Sequence, residues 1–137
     1  MNNALLNEIA SKMKAIDFCM MTTENEGRFE SRPMSSNGDV EFDGDAWFFA
    51  YDGTPKITQL EASPLVSLSF SGNEMLFIHI AGTGEIIREK SLMKKHWQEA
   101  LTAWFSKGLA TAGIVMIKVT AKQIRYWNRE KEFSIEL

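Results

Sequence analysis

Cysteine occurs once in this 137-residue chain, histidine twice and proline three times, and each scarcity removes a class of protein. One thiol, Cys19, cannot form an intrachain disulfide framework or a cysteine-based zinc site. Two histidines, His79 in a strand-like run and His96 in a helix-like one, are too few for a histidine metal cage, so no metal is expected. No apolar run approaches the roughly 18 residues of a membrane span, and no secretory leader is recognisable. These absences predict a cytoplasmic protein with no membrane partner. Also missing are a glycine-rich dinucleotide fingerprint, a Walker loop, a nucleophile elbow and a paired-histidine zinc helix. Positive charge is in short supply as well: 15 Lys and Arg against 18 Asp and Glu leave a net charge of −3. That gives no general attraction to nucleic acid. The deficit is uneven, with 5 basic against 13 acidic side chains in residues 1–85 and 10 against 5 in residues 86–137. The basic residues of the second part are dispersed, which fits complementary surfaces of a fold or dimer better than a polyanion site.

What is present suits one compact domain spanning 1–137: 15.5 kDa, 45% hydrophobic residues and no linker or repeat. Leu5, Leu6, Ile9, Met13 and Ile16 fall on one stripe at helical spacing, with Asn2 or Asn3 as N-cap and an end near Asp17. Residues 18–23 and 28–35 form a predicted hairpin about Asn25-Glu26-Gly27, and Asn37-Gly38-Asp39 and Asp43-Gly44-Asp45 are further turns. The aromatic run 46–51 reads as a strand. Thr54-Pro55 reads as an N-cap and first helical residue, with Ile57 and Leu60 inward until Ser63-Pro64. Val66, Leu68 and Phe70 alternate with serines, the pattern of a strand buried on one face. Residues 75–88 form another strand, with a bulge or bend at Gly82 and Gly84. Ser91 can cap a helix carrying Leu92, His96, Trp97, Ala100 and Trp104, broken once and stopping by Lys107-Gly108. Residues 114–127 close the pattern. Six strands and three short helices predict a mainly β, α+β domain whose antiparallel sheet closes into a small barrel to remove its edges.

Few of these residues carry obvious chemistry. Asp39, Glu41, Asp43 and Asp45 alternate as in a calcium loop but lack its closing glutamate, so they read as a solvated turn. Cys19 lies in an apolar strand without a basic neighbour and reads as a structural thiol. Trp47, Phe48, Phe49, Trp97, Trp104, Phe105, Tyr126 and Trp127 could line a planar-ligand pocket or form a core. More informative is Arg28-Phe29-Glu30-Ser31-Arg32-Pro33-Met34-Ser35, where proline cannot donate to a ladder. The strand is predicted to leave regular pairing there and expose backbone groups to a ligand.

That segment, Trp47-Phe48-Phe49, Lys56, the run from Ser63-Pro64 to Ser69, Gly82-Thr83-Gly84-Glu85, Trp104-Phe105 and Tyr126-Trp127 stand in an order that resembles one family. It is that of the pyridoxamine 5′-phosphate oxidase-like flavin split barrels, in particular the bacterial general stress protein subgroup. The resemblance implies a homodimer of six-stranded split barrels with one FMN in each of two interface grooves. It implies that Arg32 and Lys56 bracket the FMN phosphate, the lysine near the N-terminus of its helix. Ser35 would meet ribityl or phosphate oxygens, backbone groups of Pro33, Met34 and Ser35 and of Trp47, Phe48 and Phe49 would read the flavin edge, and Trp104 of the other subunit would cover the ring. Two departures stand out. Residues 106–113 lack the subgroup's acidic residues and proline, and the end Arg125-Tyr126-Trp127-Asn128-Arg129 lacks the histidine with which authentic pyridoxamine phosphate oxidases grip their substrate. The expected function is therefore an FMN-dependent oxidoreductase of some other small substrate, linked to stress and open to a nicotinamide donor. The alternatives are a non-catalytic flavin carrier or, less favoured, a deazaflavin- or haem-binding relative. No residue declares itself a catalytic acid or base.

Overall fold

A computed structural model describes residues 3–36 and 42–137. The apolar stripe forms α1 (Asn3–Lys14), burying Ile9 and Met13 and ending three residues before Asp17. β1 (Phe18–Asn25) and β2 (Arg28–Ser35) pair from Phe18↔Ser35 to Asn25↔Arg28. Glu26 and Gly27 take positive φ of 51° and 80° in the two-residue turn between them, which matches the strand twist and needs glycine or a tolerant residue there. β3 (Asp45–Tyr51) leads to α2 (Pro55–Ala62), followed by β4 (Leu65–Ser71), β5 (Leu76–Ile87), α3 (Lys90–His96), two 3-10 turns (Glu99–Ala103 and Gly108–Ala110), β6 (Ile114–Asn128) and β7 (Lys131–Glu136). The expected turn Asn37-Gly38-Asp39 and the acidic residues Asp39 and Glu41 lie outside the described residues. In the other half of the acidic cluster the Asp43 carboxylate accepts the Asp45 amide at 3.1 Å, an ordinary turn contact.

The strands pair antiparallel in the order β2-β1-β4-β5-β6-β3, with β7 added on β6. Four expectations need correction. The strand count is seven, because Phe133 and Ile135 alternate with polar residues after the Arg129-Glu130 turn and pair with Tyr126 and Ile124. The path is open, with no ladder joining β2 to β3 among the described residues. β2 does not leave regular pairing at Pro33, which lies opposite Met20. An edge strand has one unpaired side, so the missing donor can face away from the ladder at no cost. The helix expected from Ser91 onward starts at Lys90 with Glu89 at the cap position, and it breaks at Trp97, whose ψ of 136° is extended.

Alternation along β3 sends consecutive aromatics to opposite faces. Phe48 enters the main core with Ile9, Met21, Leu68, Phe70, Ile80, Ile117 and Tyr126, which α1 and α2 cover. Phe49 enters a smaller core with Met93, Leu101, Phe105 and Met116, beneath α3 and the 3-10 turns. The expected irregularity at Gly82 is a register shift between Ala81 and Gly82 against β6. A Cβ there would stand 2.0 Å from the Thr120 carbonyl oxygen, so no larger residue fits without moving backbone.

Candidate functional site

Cys19, Met21 and Thr23 point inward along β1, and opposite them β2 sends Arg32 to the same face. The row ends in a polar residue, Thr23, which is 1% exposed yet has a partner in the buried Gln59 of α2. The Thr23 hydroxyl donates to Gln59 Oε1 at 2.6 Å. Arg32 grips this pair: Nη1 donates to Thr23 Oγ1 at 2.8 Å and to the Met21 carbonyl at 3.3 Å, and Nη2 donates to Gln59 Oε1 at 3.1 Å. All three acceptors are neutral. Lys56, half-buried in the first turn of α2, has no hydrogen-bond or ion-pair partner among the described residues. Burial lowers the pKa of both cations. Arg32 lowers that of Lys56 further, whereas Glu30 partly restores that of Arg32.

The N-terminus of α2 adds to this positive end. Thr54 occupies the predicted cap position, but its hydroxyl donates to the Tyr51 carbonyl at 2.8 Å, and no side chain caps the helix. The helix dipole favours an anion beside Lys56, though Pro55 has no N–H and the Ile57 amide already donates to the Thr54 carbonyl at 3.1 Å. A bidentate contact from Arg88 to Asp52, at 3.0 and 2.9 Å, fixes the turn that leads into α2.

β2 and β3 are the two ends of the sheet path, so the backbones of Pro33, Met34 and Ser35 and of Trp47, Phe48 and Phe49 each keep one side free of ladder bonds. The side chains differ from this picture of an open edge. Ser35 donates to Asp17 at 2.7 Å, and Phe48 and Phe49 are core residues. Trp47 stacks on His96 with ring centroids 3.6 Å apart, with Lys118 5.4 Å from the ring centre. Trp104 is 58% exposed, meets Phe18 edge-on at 6.1 Å and accepts the Tyr51 hydroxyl on its carbonyl. It therefore ties the end of β3 to the start of β1 within one chain.

A family model described as "Pyridoxamine 5′-phosphate oxidase like" matches residues 5–137. The chain belongs to this pyridoxamine 5′-phosphate oxidase-like family. Protein bli-3 of Neurospora crassa is 27% identical over 103 residues, covering 73% of this chain and 49% of that protein, so the chain spans about half of that relative's length. A Clostridium acetobutylicum protein related to general stress protein 26 has the same fold, with TM-score 0.85, 17% identity and coverage of 100% and 97% of the two chains. General stress protein 26 of Bacillus anthracis gives 0.81, 20% identity and full coverage of both. Other structures of the same fold are a FAD-binding protein from Mesorhizobium loti (0.67, 20% identity, 88% and 94% coverage) and a heme-binding protein from Mycobacterium smegmatis (0.76, 12%, 96% and 57%).

The structure places Arg32 and Lys56 within electrostatic reach of each other and sets Thr23 and Gln59, which sequence reasoning missed, against Arg32. Thr23 had a signal, since it continues the inward row of Cys19 and Met21 with a polar side chain. Gln59 had none, because one glutamine on a short helix is usually solvated. The donor set suits a phosphate monoester: two cations without a carboxylate partner within ion-pair distance, beside an uncapped helix start. Cys19 is buried, which pushes its thiol up to about 12, so it is no nucleophile at neutral pH. No group of three or more metal-ligating side chains occurs among the described residues, and no helix there is long and apolar enough to cross a membrane.

Proposed function

We propose that the chain binds FMN, holding its phosphate between Arg32, Lys56 and the start of α2, with the ring lying along the free edges of β2 and β3 near Trp104. The observation that supports this most is the half-buried Arg32 held by three neutral oxygens, with Lys56 unpaired close by. A bound anion would offset both the mutual repulsion of these two cations and the cost of their partial burial. A bound flavin supplies one- and two-electron redox chemistry. The chain's own part is to bind, orient and shield: Arg32 and Lys56 fix the phosphate, edge backbone groups meet polar ring atoms, and Trp104 covers an apolar face. A small redox substrate, with a nicotinamide as electron donor, fits an oxidoreductase linked to stress responses.

The same reading makes the functional unit a homodimer. The outer face of β1, β4 and β5 leaves Phe18, Met20, Leu65 and Phe77 exposed, and Phe29 of β2 beside them is 80% exposed. A groove of about 340 Å³ lined by Phe29, Leu65, Val66, Ala81 and Gly82 crosses that face. A second copy would cover this surface and bring a second Trp104 to the cofactor edge.

Titration with FMN and riboflavin tests the reading. Each charge-assisted phosphate contact is worth about 1.5–3 kcal/mol, so two at the lower end predict FMN binding roughly a hundredfold tighter than riboflavin. The double change Arg32→Ala and Lys56→Ala should erase the preference while leaving far-ultraviolet dichroism unaltered; equal affinities in the unaltered protein would refute the assignment. A flavin carrier without turnover is the second reading. Rapid reduction of the bound flavin by NADH or NADPH would decide for the enzyme.

A further inference from the structure

Resting on the phosphate reading above, we propose that Gln59, braced by Thr23, is a positioning residue that keeps Arg32 aimed and out of a direct ion pair with a carboxylate, and so sets the preference for a phosphorylated over an unphosphorylated ligand.

The aim follows from donor arithmetic. A guanidinium has five N–H donors in a rigid plane. The Thr23 hydroxyl and Gln59 Oε1, 2.6 Å apart, form two adjacent acceptors that take one hydrogen from each Nη. The second Nη1 hydrogen goes to the Met21 carbonyl. The edge made by Nε and the remaining Nη2 hydrogen has no protein partner among the described residues. That edge presents two parallel donors, the geometry that meets two phosphate oxygens at once.

The lack of an ion pair among the described residues has an equally local cause. Glu30 lies two residues from Arg32 on the same face of β2 and is the carboxylate placed to neutralise it. It is engaged elsewhere: the Asn25 amide donates to it at 2.5 Å, and the Gln59 amide is near enough to stabilise its charge. Gln59 can only donate to a carboxylate through its amide nitrogen. One side chain thus holds Arg32 by its carbonyl oxygen and stabilises the Glu30 charge through its amide. The combined pull of Asn25, Gln59 and the two arginines lowers the Glu30 carboxyl below its usual range. Glutamate at position 59, of almost the same shape, would place a negative charge directly on Arg32 and repel Glu30.

The test uses the full chain and four variants, Gln59→Glu, Gln59→Leu, Thr23→Val and Thr23→Ser. For each, the dissociation constants of FMN and riboflavin are measured by quenching of flavin fluorescence, with a thermal melt as a check on folding. The expected result is that Gln59→Glu, Gln59→Leu and Thr23→Val each lower the FMN-over-riboflavin preference at least about tenfold with riboflavin affinity little changed, while Thr23→Ser keeps it. A merely structural role would weaken both ligands together or lower only the melting temperature. If Gln59→Leu fails to fold, Gln59→Glu and the Thr23 pair decide. Retention of the preference in Gln59→Glu and Thr23→Val would overturn this inference and leave the phosphate reading standing. No preference in the unaltered chain would overturn both.

Discussion

Replacing Gly82 by alanine should unfold the chain far more easily than its one added methyl suggests. The new Cβ would lie 2.0 Å from the Thr120 carbonyl oxygen, 2.9 Å from its carbon and 3.2 Å from Ala121 Cα. All three are backbone atoms of β6 and cannot swing aside, and carbon–oxygen contact begins near about 3.3 Å, so the strands must part by more than about 1 Å. Parting them breaks two or three hydrogen bonds, at about 1 kcal/mol each, and loosens the core around Ile80, Val119 and Ala121. The smaller entropy of the unfolded alanine chain returns about 0.4–1 kcal/mol. The net loss is about 3 kcal/mol, a fall in melting temperature on the order of 10 °C for a chain of this length. Gly84→Ala is the control. Its Cβ meets the Leu60 side chain at 3.0 Å, a flexible neighbour on α2, and should cost under about 1 kcal/mol. The Gly84 amide also donates to the Pro64 carbonyl just beyond α2, so this part of β5 helps seat the helix that carries Lys56 and Gln59. Urea or thermal unfolding followed by far-ultraviolet dichroism gives both values. A Gly82→Ala protein within 0.5 kcal/mol of the parent would show that the bulge is not sterically fixed, and the reasoning would fail.

Three further outcomes follow from burial and charge. The folded Cys19 thiol holds its proton up to about 12 against an ordinary 9.0, so stability is full below pH 9 and declines as pH rises toward 12; Cys19→Ala should remove that part of the decline in pH-dependent unfolding, and an unchanged slope would contradict it. Burial, with Lys95 and Lys118 nearby, lowers the His96 pKa from its usual 6.5. Its contribution is therefore present above 6.5 and lost as pH falls through the lower folded value, and fluorescence of the stacked Trp47 should drop in the same acidic range; a His96→Ala protein with the same acid-induced drop would rule the stack out as its source. Sedimentation at micromolar concentration should report twice 15.5 kDa, and Met20→Asp on the outer sheet face should shift it toward monomer; a parent monomer that still binds FMN would exclude the shared groove.

Much of the fold was legible because burial imposes a period. Val66, Leu68 and Phe70 against their serines, and Leu5 through Met13 at helical spacing, left one reading each, and the structure has both elements. β7 was missed because its six residues include three charges and only Phe133 and Ile135 as an apolar row, too short to outweigh a tail. Pro33 misled for a different reason: a local rule about donors says nothing of which strand lies at an edge, and edges are set by the whole path of the sheet. The site divides in the same way. Arg32 and Lys56 were singled out through an ordered set of motifs that resembles a family, whereas the Thr23–Gln59 hydrogen bond joins residues 36 positions apart, which no local pattern encodes.

FMN binding is decided by the chromophore that the purified protein retains. After incubation with an equimolar mixture of FMN, FAD, riboflavin and haemin and removal of unbound ligand, the protein should show a two-banded flavin spectrum, and acid extraction should release FMN at about one per chain. An intense haem band, or extraction of riboflavin or FAD in place of FMN, would contradict a site built by Arg32, Lys56 and the start of α2 around a terminal phosphate.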